Sequence, residues 1–535
     1  MRAILRLWML LVPMALAITA CSSHTDNPAS PQPQGGQESE LADYTIIFYG
    51  YGGGNLDRGI VGNIAAFYGA SAESYNRVNI AVQYKFSDSE SLAAECDPET
   101  FRAKIEAAGG SQADVEEALN MPIFQVLDEI RPNGTYRFTV DLGKGYVQQF
   151  SDQDNVYGPD NCDISNQDSL TNFIRWAAET CPAKNYVFII SDHGGGYNPK
   201  DDLPLNAAAV PTRGLVYDNG HDNRHFSVNS LTTAIKASGI RPQVVYMDAC
   251  LMNTAEYLFE LKDICDYVVA STFVVPGAGG DYSVLVEELA KSSDIEAALA
   301  VLCRKSVDNW EKEQEPGAPF FCDISATRTR NLDAFGAKLR EFVDCLITAY
   351  KSDNQAIRDA IDECTARAFM VERGMPNYDI VDYIEDIFDS APSAFPTGLY
   401  EELGAAYNAC IVKQVASNFL TDMGFEVDMS VMLGQQNSYY VTKHAFNEEG
   451  IRIPYIAQRI WGDGSIEGYL VSIPDNVQRG QWEANFETTY KRLAFDKISG
   501  WSRWIEVNSQ QPCQTSPTLW EDGIAMDDGD DDCLD

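Results

Sequence analysis

Short apolar runs that alternate with helical stretches most constrain how this chain folds. Five runs have the length and composition of β-strands: residues 44–49, 77–86, 186–191, 243–247 and 267–271. Helical spacing follows or separates them at residues 169–180, 228–237 and 254–262. Because most of these strands are apolar without interruption, both of their faces must be buried. The sequence therefore predicts an α/β fold, with helices on both faces of a mostly parallel central sheet.

Three further segments complete the predicted organisation. Residues 89–131 are charged and helical in pattern, as in an insertion. Residues 136–150 predict a hairpin with Gly143 and Gly145 at its bend. The long segment 294–410 is mostly helical in pattern.

Composition and charge limit the function. The 535-residue chain is 45% apolar, which is enough to bury a large core and excludes a mainly disordered protein. Its formal net charge is −40. A surface of this charge repels phosphate backbones, so we expect no nucleic-acid partner. It attracts cationic ligands, metal ions or basic peptides instead.

The N-terminus predicts export and a lipid anchor. Arg2 and Arg6 precede an apolar run that is too short to span a bilayer stably, which is typical of a signal peptide. Residues 18–21, Ile-Thr-Ala-Cys, resemble the lipobox of bacterial lipoproteins, in which the cysteine receives the lipid. The alternative is an ordinary signal peptide in which Cys21 has no role. We predict a lipid on Cys21 and a location in the bacterial cell envelope, on the periplasmic or cell-surface side.

Changes of composition divide the chain into five parts. The predicted parts are a lipoprotein signal peptide at 1–20, a flexible tether at 21–42, a main domain at 43–414, a smaller C-terminal α+β subdomain at 415–510 and an acidic tail at 511–535. The tether is rich in Ser, Pro, Gln and Gly, a composition that stays flexible.

The cysteines predict neither a zinc ribbon nor a thioredoxin-type site, because the 13 of them include no Cys-x-x-Cys pair. In an exported protein we expect some of them to form disulfides. The sequence does not assign the pairing.

Two predicted strands run directly into reactive side chains. One continues into residues 191–196, Ser-Asp-His-Gly-Gly-Gly, and another into residues 248–252, Asp-Ala-Cys-Leu-Met. Ligands of open parallel sheets bind beyond the carboxyl ends of the strands, so neighbouring strands would bring His193 and Cys250 to one rim. An imidazole lowers the pKa of a nearby thiol and moves its proton, which activates the thiol toward carbonyl carbons. A cysteine or histidine at a strand end is often only structural, and spacing alone leaves that alternative open.

The backbone around this pair suits a developing negative charge. Glycines after His193 let the chain approach a substrate closely. The amides of Gly194 and Cys250 would together form an oxyanion hole. We also expect a helix directly after Cys250, whose positive end would favour the thiolate.

Several motifs make the pattern specific. They are DHGGG at 192–196, RGLVYDN at 213–219 and MDACLM at 247–252, with GNLD at 54–57 and YKRLAFDKISGW at 490–501. Together they resemble the clostripain family of cysteine peptidases. That resemblance implies the caspase-like α/β/α sandwich, and it makes residues 43–414 a peptidase domain.

The resemblance also implies roles for single residues. His193 matches the catalytic histidine and Cys250 matches the nucleophile. Asp248 matches an acidic position of the pocket that receives the side chain before the scissile bond, which implies a cysteine endopeptidase that cleaves after Arg or Lys. The chain departs from the family at Ser271-Thr272-Phe273. An apolar Phe273 near the pocket counts against basic specificity.

Relatives of this kind are often made as zymogens that are cut between the His and Cys segments. The segment from 197 to 212 holds one basic residue, Lys200, so we expect any self-cleavage to follow it. No cofactor is required by this chemistry, although the many carboxylates permit a response to calcium. We expect peptide or protein substrates, a membrane contact only through the lipid, and a monomer.

Other function classes fit less well. Gly-x-Ser-x-Gly and His-Glu-x-x-His are absent, which argues against the common lipase and zinc-peptidase signatures. The remaining alternative is a catalytically inactive caspase-fold lipoprotein that acts as a binding or scaffold protein.

Overall fold

The computed structural model describes residues 41–158, 161–197, 214–312, 314, 321–367, 377–422, 427–432 and 489–509. The strands within these residues are β1 (Ala42–Tyr51), β2 (Val78–Lys85), β3 (Thr135–Thr139), β4 (Ala183–Ser191), β5 (Leu215–Asp218), β6 (Arg224–Phe226), β7 (Val244–Asp248), β8 (Tyr267–Ala270), β9 (Asp323–Arg328), β10 (Asn377–Asp379), β11 (Ile411–Ala416) and β12 (Ser430–Met432).

Eight of these strands form the central sheet, in the order β11-β9-β8-β7-β4-β1-β2-β3. The five strands from β8 to β2 run parallel to one another. At one edge β3 pairs antiparallel with β2. At the other edge β9 pairs antiparallel with β8, and β11 pairs antiparallel with β9. The predicted α/β fold with a mostly parallel central sheet is therefore confirmed.

Helices cover both faces of the sheet. The described helices are α1 (Asp57–Phe67), α2 (Ser89–Cys96), α3 (Pro98–Ala107), α4 (Gln112–Leu119), α5 (Pro122–Val126), α6 (Gly145–Ser151), α7 (Gln167–Thr180), α8 (Val228–Ser238), α9 (Ala255–Leu261), α10 (Tyr282–Lys291), α11 (Ile295–Lys312), α12 (Leu332–Tyr350), α13 (Gln355–Arg367), α14 (Ile380–Ser390), α15 (Leu399–Cys410), α16 (Asn418–Asp422), α17 (Ala494–Ser499) and α18 (Trp501–Ser509).

Side chains of the buried strands point alternately to the two faces of the sheet and so contribute to two hydrophobic cores. In β1, Ile47 packs into a core with Leu231 of α8, on the side that also holds α7, α9 and α12. The neighbouring Ile46 points the other way and packs with Leu285 of α10, on the side of α1 and α11. Successive side chains of a strand point to opposite faces, so a strand that is apolar at every position holds both layers.

One local prediction is wrong. Residues 136–150 do not form a hairpin: β3 ends at Thr139, and the helix α6 begins at Gly145, whose φ is +75°. The partner of β3 is β2, which lies more than fifty residues earlier in the chain. The Gly-rich turn therefore leads into a helix, because the hydrogen bonds of β3 are already made to a distant strand.

The mostly helical segment 294–410 also contains a strand. β9 lies inside the central sheet between β8 and β11, and Ser325 and Thr327 of this strand are buried. A strand with polar residues at buried positions lacks the apolar run that marks the other strands.

The predicted C-terminal subdomain lies mostly outside the described residues. Only the last two residues of β11, a strand of the central sheet, fall within its range. Trp501 and Trp504 of α18 are fully buried in the core on the α12 side. The predicted division into domains stays a prediction. Over the described residues, no helix is both long and apolar enough to cross a membrane.

The cysteines differ from expectation. All ten that the structure describes are free thiols: Cys96, Cys162, Cys181, Cys250, Cys265, Cys303, Cys322, Cys345, Cys364 and Cys410. The expected disulfides are therefore wrong for these ten residues, most of which are buried among apolar side chains.

Candidate active site

Two adjacent parallel strands build the site. β4 pairs with β7 so that Ser191 lies opposite Asp248. His193 and Cys250 each lie two residues beyond that pair, so they occupy equivalent places at the carboxyl end of the sheet. Both line a cavity of about 120 Å³, together with Asp248. The expectation that the two strands are neighbours is confirmed.

The backbone between the two strand ends is held tightly. A Cβ added at Gly194 would overlap the carbonyl oxygen of Cys250, so only glycine fits there. Hydrogen bonds from Gly195 to Gly214 and from Val216 to His193 flank Gly194 on both sides. The N–H of Gly194 itself has no hydrogen-bond partner within the described chain. Gly194 is not among the residues that line the cavity.

The turn after Cys250 is strained. Leu251 has φ of +66°, a left-handed conformation that a bulky residue rarely adopts. Its N–H donates to the carbonyl of Phe273, and the N–H of Asn253 donates to Ser271, so the β8 end holds the turn. The expected helix does not follow Cys250 directly. α9 begins at Ala255, behind the capping residue Thr254, because the turn comes first.

His193 is held by a residue that sequence reasoning missed. Its Nε2 lies 2.9 Å from Oδ1 of Asn55, in the loop between β1 and α1. With Nε2 donating to this oxygen, Nδ1 is the nitrogen that carries the lone pair. Burial lowers the pKa of His193 below its ordinary value of 6.5. The neutral imidazole is therefore favoured. Only the GNLD motif pointed to this loop.

Cys250 is partly exposed and meets the loop after β8. Its Sγ accepts a hydrogen bond from the N–H of Val275 at 3.3 Å. A sulfur that accepts an N–H bond gains stabilisation of its negative form. Val275 also lines the cavity, so this loop forms one wall of the site.

Asp248 lies in the same cavity and is nearly fully buried. Its Oδ1 accepts from the Tyr246 hydroxyl at 3.0 Å, and its Oδ2 accepts from the N–H of Gly280 at 3.2 Å and from the Tyr282 hydroxyl. Burial raises the pKa of Asp248 above its ordinary value, and these hydrogen bonds oppose the rise. Its partners among the described residues are all neutral, with no Lys or Arg among them.

The opposite wall of the cavity comes from α1, through Leu56, Ile60 and Asn63. A Cβ added at Gly279 would overlap both Nδ2 of Asn63 and Oδ2 of Asp248, so these two polar groups lie side by side. No sequence signal singled out Asn63, because an asparagine in an amphipathic helix has no distinctive pattern.

Asp192 also lines the cavity but has a different environment. Its Oδ2 accepts from the N–H of Tyr217 at 2.7 Å, while its buried Oδ1 has no hydrogen-bond partner in the described part of the chain. Burial raises the pKa of Asp192 well above the ordinary value. This carboxyl group therefore favours its protonated form.

Phe273 does not line the cavity. It packs with Leu251, Leu420 and Val427 in a small cluster, and Cys250 packs against this cluster. The effect of Phe273 on basic specificity stays a prediction. Cys21 and Lys200 lie outside the described residues.

A second polar cluster lies near the same end of the sheet. Asp163, Asp218 and His221 have oxygen and nitrogen atoms close enough to hold a metal ion. The ammonium of Lys85, however, lies 2.7 Å from Oδ1 of Asp218 and 3.4 Å from Nδ1 of His221. A cation is already built into this cluster, so its residues do not fit calcium. A response to calcium stays a prediction.

Comparisons with known proteins identify the family of the chain. The profile of the clostripain family matches residues 125–506, more than half of the chain and both strand ends of the cavity. Clostripain of Hathewaya histolytica is 26% identical over 129 residues, which cover 22% of this chain and 23% of that protein. The chain thus spans about a quarter of the length of this curated relative.

Two solved structures are similar in fold. A secreted C11 cysteine protease from Bacteroides thetaiotaomicron, in complex with an irreversible peptide inhibitor, has 15% identity and a TM-score of 0.48, covering 79% of this chain and 100% of its own. An inactive zymogen C11 protease from Parabacteroides distasonis has 13% identity and a TM-score of 0.48, covering 86% and 98%.

Proposed function

This chain belongs to the clostripain family of cysteine peptidases, and from that premise we propose that it is a cysteine endopeptidase that cleaves after Arg or Lys through a Cys-His dyad. The observation that carries the proposal is the cavity shared by His193, Cys250 and Asp248. A thiol, an imidazole and a buried carboxyl group share one small volume there, which supports the proposal.

The dyad acts in two steps. His193 takes the proton of the Cys250 thiol, and the sulfur attacks the carbonyl carbon of the scissile bond. The tetrahedral intermediate collapses to a thioester as the amine leaves with that proton. His193 then removes a proton from water, which attacks the thioester and releases the acid and the free thiol. The contact with Asn55 fixes the imidazole plane during both steps.

The oxyanion of each tetrahedral intermediate needs hydrogen-bond donors. We assign them to the N–H groups of Gly194 and Cys250, which belong to the backbones that pack together at the two strand ends. Loss of one donor in comparable sites costs about 10²–10³ in kcat. The close packing at Gly194 supports this assignment, since a side chain there would displace the Cys250 backbone.

Asp248 supplies the preference for basic residues. A cationic side chain that enters the cavity loses its water shell, and a buried carboxylate compensates that loss. The net charge of −40 adds a long-range attraction for basic peptides.

The decisive experiment measures cleavage of fluorogenic peptides by the protein lacking residues 1–21. The peptides differ only in the residue before the bond, and Cys250→Ala is the control. We expect cleavage after Arg or Lys that the variant lacks. Cleavage after other residues only would keep the dyad and refute the role of Asp248. No cleavage, even after limited tryptic nicking between 197 and 213, would leave the inactive binding lipoprotein.

We also propose that Cys21 carries a lipid and holds the protein in the bacterial cell envelope, outside the cytoplasm. Metabolic labelling with a radioactive fatty acid tests this: the wild type should be labelled and Cys21→Ser should not. An unlabelled wild type would refute the anchor.

Self-cleavage, where it occurs, is proposed after Lys200. The wild type should then release a fragment that begins at Asp201, and Lys200→Ala should not. A Cys250→Ala protein that forms the same fragments without added protease would show that another enzyme makes the cut.

A further inference from the structure

The acceptor positions of Asp248 are unequally used. A carboxylate oxygen accepts about two hydrogen bonds. Oδ2 already accepts from Gly280 and Tyr282, so it is saturated. Oδ1 accepts from Tyr246 only. One acceptor position therefore remains, and it is on Oδ1.

The unequal use of the two Asp248 oxygens should favour a lysine side chain over an arginine side chain. A guanidinium binds a carboxylate best as a fork, with one N–H to each oxygen. Because both acceptor positions of Oδ2 are occupied, the second N–H of a guanidinium finds no acceptor there. An ammonium is a compact donor that needs a single position on the carboxylate, and its other N–H groups must find separate acceptors.

Asn63 carries such an acceptor in its amide oxygen. Its side chain lines the cavity, and Nδ2, the donor end of the amide, is the atom that lies toward Oδ2 of Asp248. This amide makes no hydrogen bond to another described residue, and neither of its polar atoms is fully enclosed. Its oxygen is therefore accessible to a ligand that offers an N–H donor.

We propose that this cavity selects lysine over arginine before the scissile bond, with the ammonium shared between Oδ1 of Asp248 and the amide oxygen of Asn63. Asn63 is then a specificity-determining residue. The inference rests on the proposed function, since it concerns the pocket of the same site.

The first test compares two peptides that differ only by Lys or Arg before the bond, with norleucine as an uncharged control. We expect kcat/KM for Lys to exceed that for Arg by about tenfold or more, because the fork is blocked. Equal values, or a preference for Arg, would overturn the inference and leave the peptidase proposal intact. Cleavage of neither basic peptide would instead refute the proposed function.

The second test alters the two tyrosines that donate to Asp248. Tyr282→Phe frees a position on Oδ2 and should shift the Arg-to-Lys ratio of kcat/KM toward Arg by about fivefold or more. Tyr246→Phe is the matched control: it removes one donor from Oδ1, leaves Oδ2 saturated, and should leave the ratio within about twofold. Equal shifts in both variants would contradict the saturation argument.

The third test concerns Asn63 alone. Asn63→Leu keeps the size of the side chain and removes its acceptor. We expect kcat/KM for the Lys peptide to fall by about tenfold or more while the norleucine peptide changes little. A parallel fall for both peptides would show a merely structural role, and an unchanged Lys rate would remove Asn63 from the pocket.

Discussion

Asp218 and Asp248 are both buried aspartates at the carboxyl end of the central sheet, but only one of them has a cation of its own. The Asp218 and Lys85 side chains are each 0% exposed and form an ion pair with 2.7 Å between Nζ and Oδ1. Asp248 is held by neutral donors alone and lines the cavity. The charge of Asp218 is thus balanced inside the protein, whereas Asp248 lines the cavity without a cation.

The difference teaches that position, more than burial, marks a carboxylate for a ligand. Asp57 and Asp323 are also buried and have neutral partners among the described residues, but neither lines the cavity. A carboxylate paired inside the protein contributes to stability and is closed to ligands. An unpaired one beside a nucleophile can compensate the charge of a substrate. The following predictions test this contrast, in order of decreasing effect.

Lys85→Met should break the internally paired cluster. It leaves Asp218 buried without its cation, and such a loss costs about 3–5 kcal/mol of unfolding free energy. Denaturant unfolding measures this value. Combining Lys85→Met with Asp218→Asn should cost less than the sum of the two single variants. A loss below about 1 kcal/mol would mean that the pair does not support the fold.

Asp248→Asn should have the reverse effect of Lys85→Met, with a large loss of activity and a small loss of stability. We expect kcat/KM for peptides with a basic residue before the bond to fall by about 10²–10³, because the substrate cation loses its counter-charge. The norleucine peptide serves as control and should change little. The denaturation midpoint should move less than in Lys85→Met. Unchanged cleavage of basic peptides would remove the contrast between the two aspartates.

The histidines of the two clusters differ in the same way. His221 Nδ1 lies 3.0 Å from the carboxylate of Asp218, whereas His193 meets the neutral amide of Asn55. Asn55→Ala should lower kcat by about tenfold with little change in KM, since it loosens the base and not the pocket. A change in KM alone would place Asn55 in substrate binding instead.

The pH profile gives the smallest effect. Burial lowers the pKa of His193 below 6.5, so the neutral ring persists to lower pH and the acidic limb of kcat/KM should lie below 6.5. In Asn55→Asp a carboxylate replaces the amide and stabilises the imidazolium. The limb should then move upward by a fraction of a pH unit or more. A downward shift would contradict the assignment of this limb to His193.

The sequence predicts that His193 and Cys250 lie close together, but it does not predict which residues surround them. His193 and Cys250 could be brought together because each follows an apolar run, and parallel neighbours end at the same edge of a sheet. The GNLD motif pointed only to the loop of Asn55, and no signal pointed to Asn63. Both are neutral residues more than 120 positions away from His193 in the chain, and only tertiary packing brings Asn55 to His193 and Asn63 to the cavity.

The same limit explains the errors in the fold. A pattern that depends on local hydrophobicity finds β1 and β4, whose buried positions are mostly apolar. It misses β9, because the buried Ser325 and Thr327 are compatible with the sheet only through hydrogen bonds and neighbours far away in sequence.

The described thiols differ in their access to solvent, so an accessible one can be titrated selectively. Among the ten cysteines that the structure describes, eight are buried and only Cys250 and Cys345 are partly accessible. Burial raises the pKa of Cys345, which slows its alkylation near neutral pH. In a variant in which Cys21, Cys513 and Cys533 are replaced by serine, an alkylating dye added in small excess should therefore react with Cys250 ahead of the other thiols. The concentration of accessible Cys250 could then be read from absorbance before any natural substrate is known.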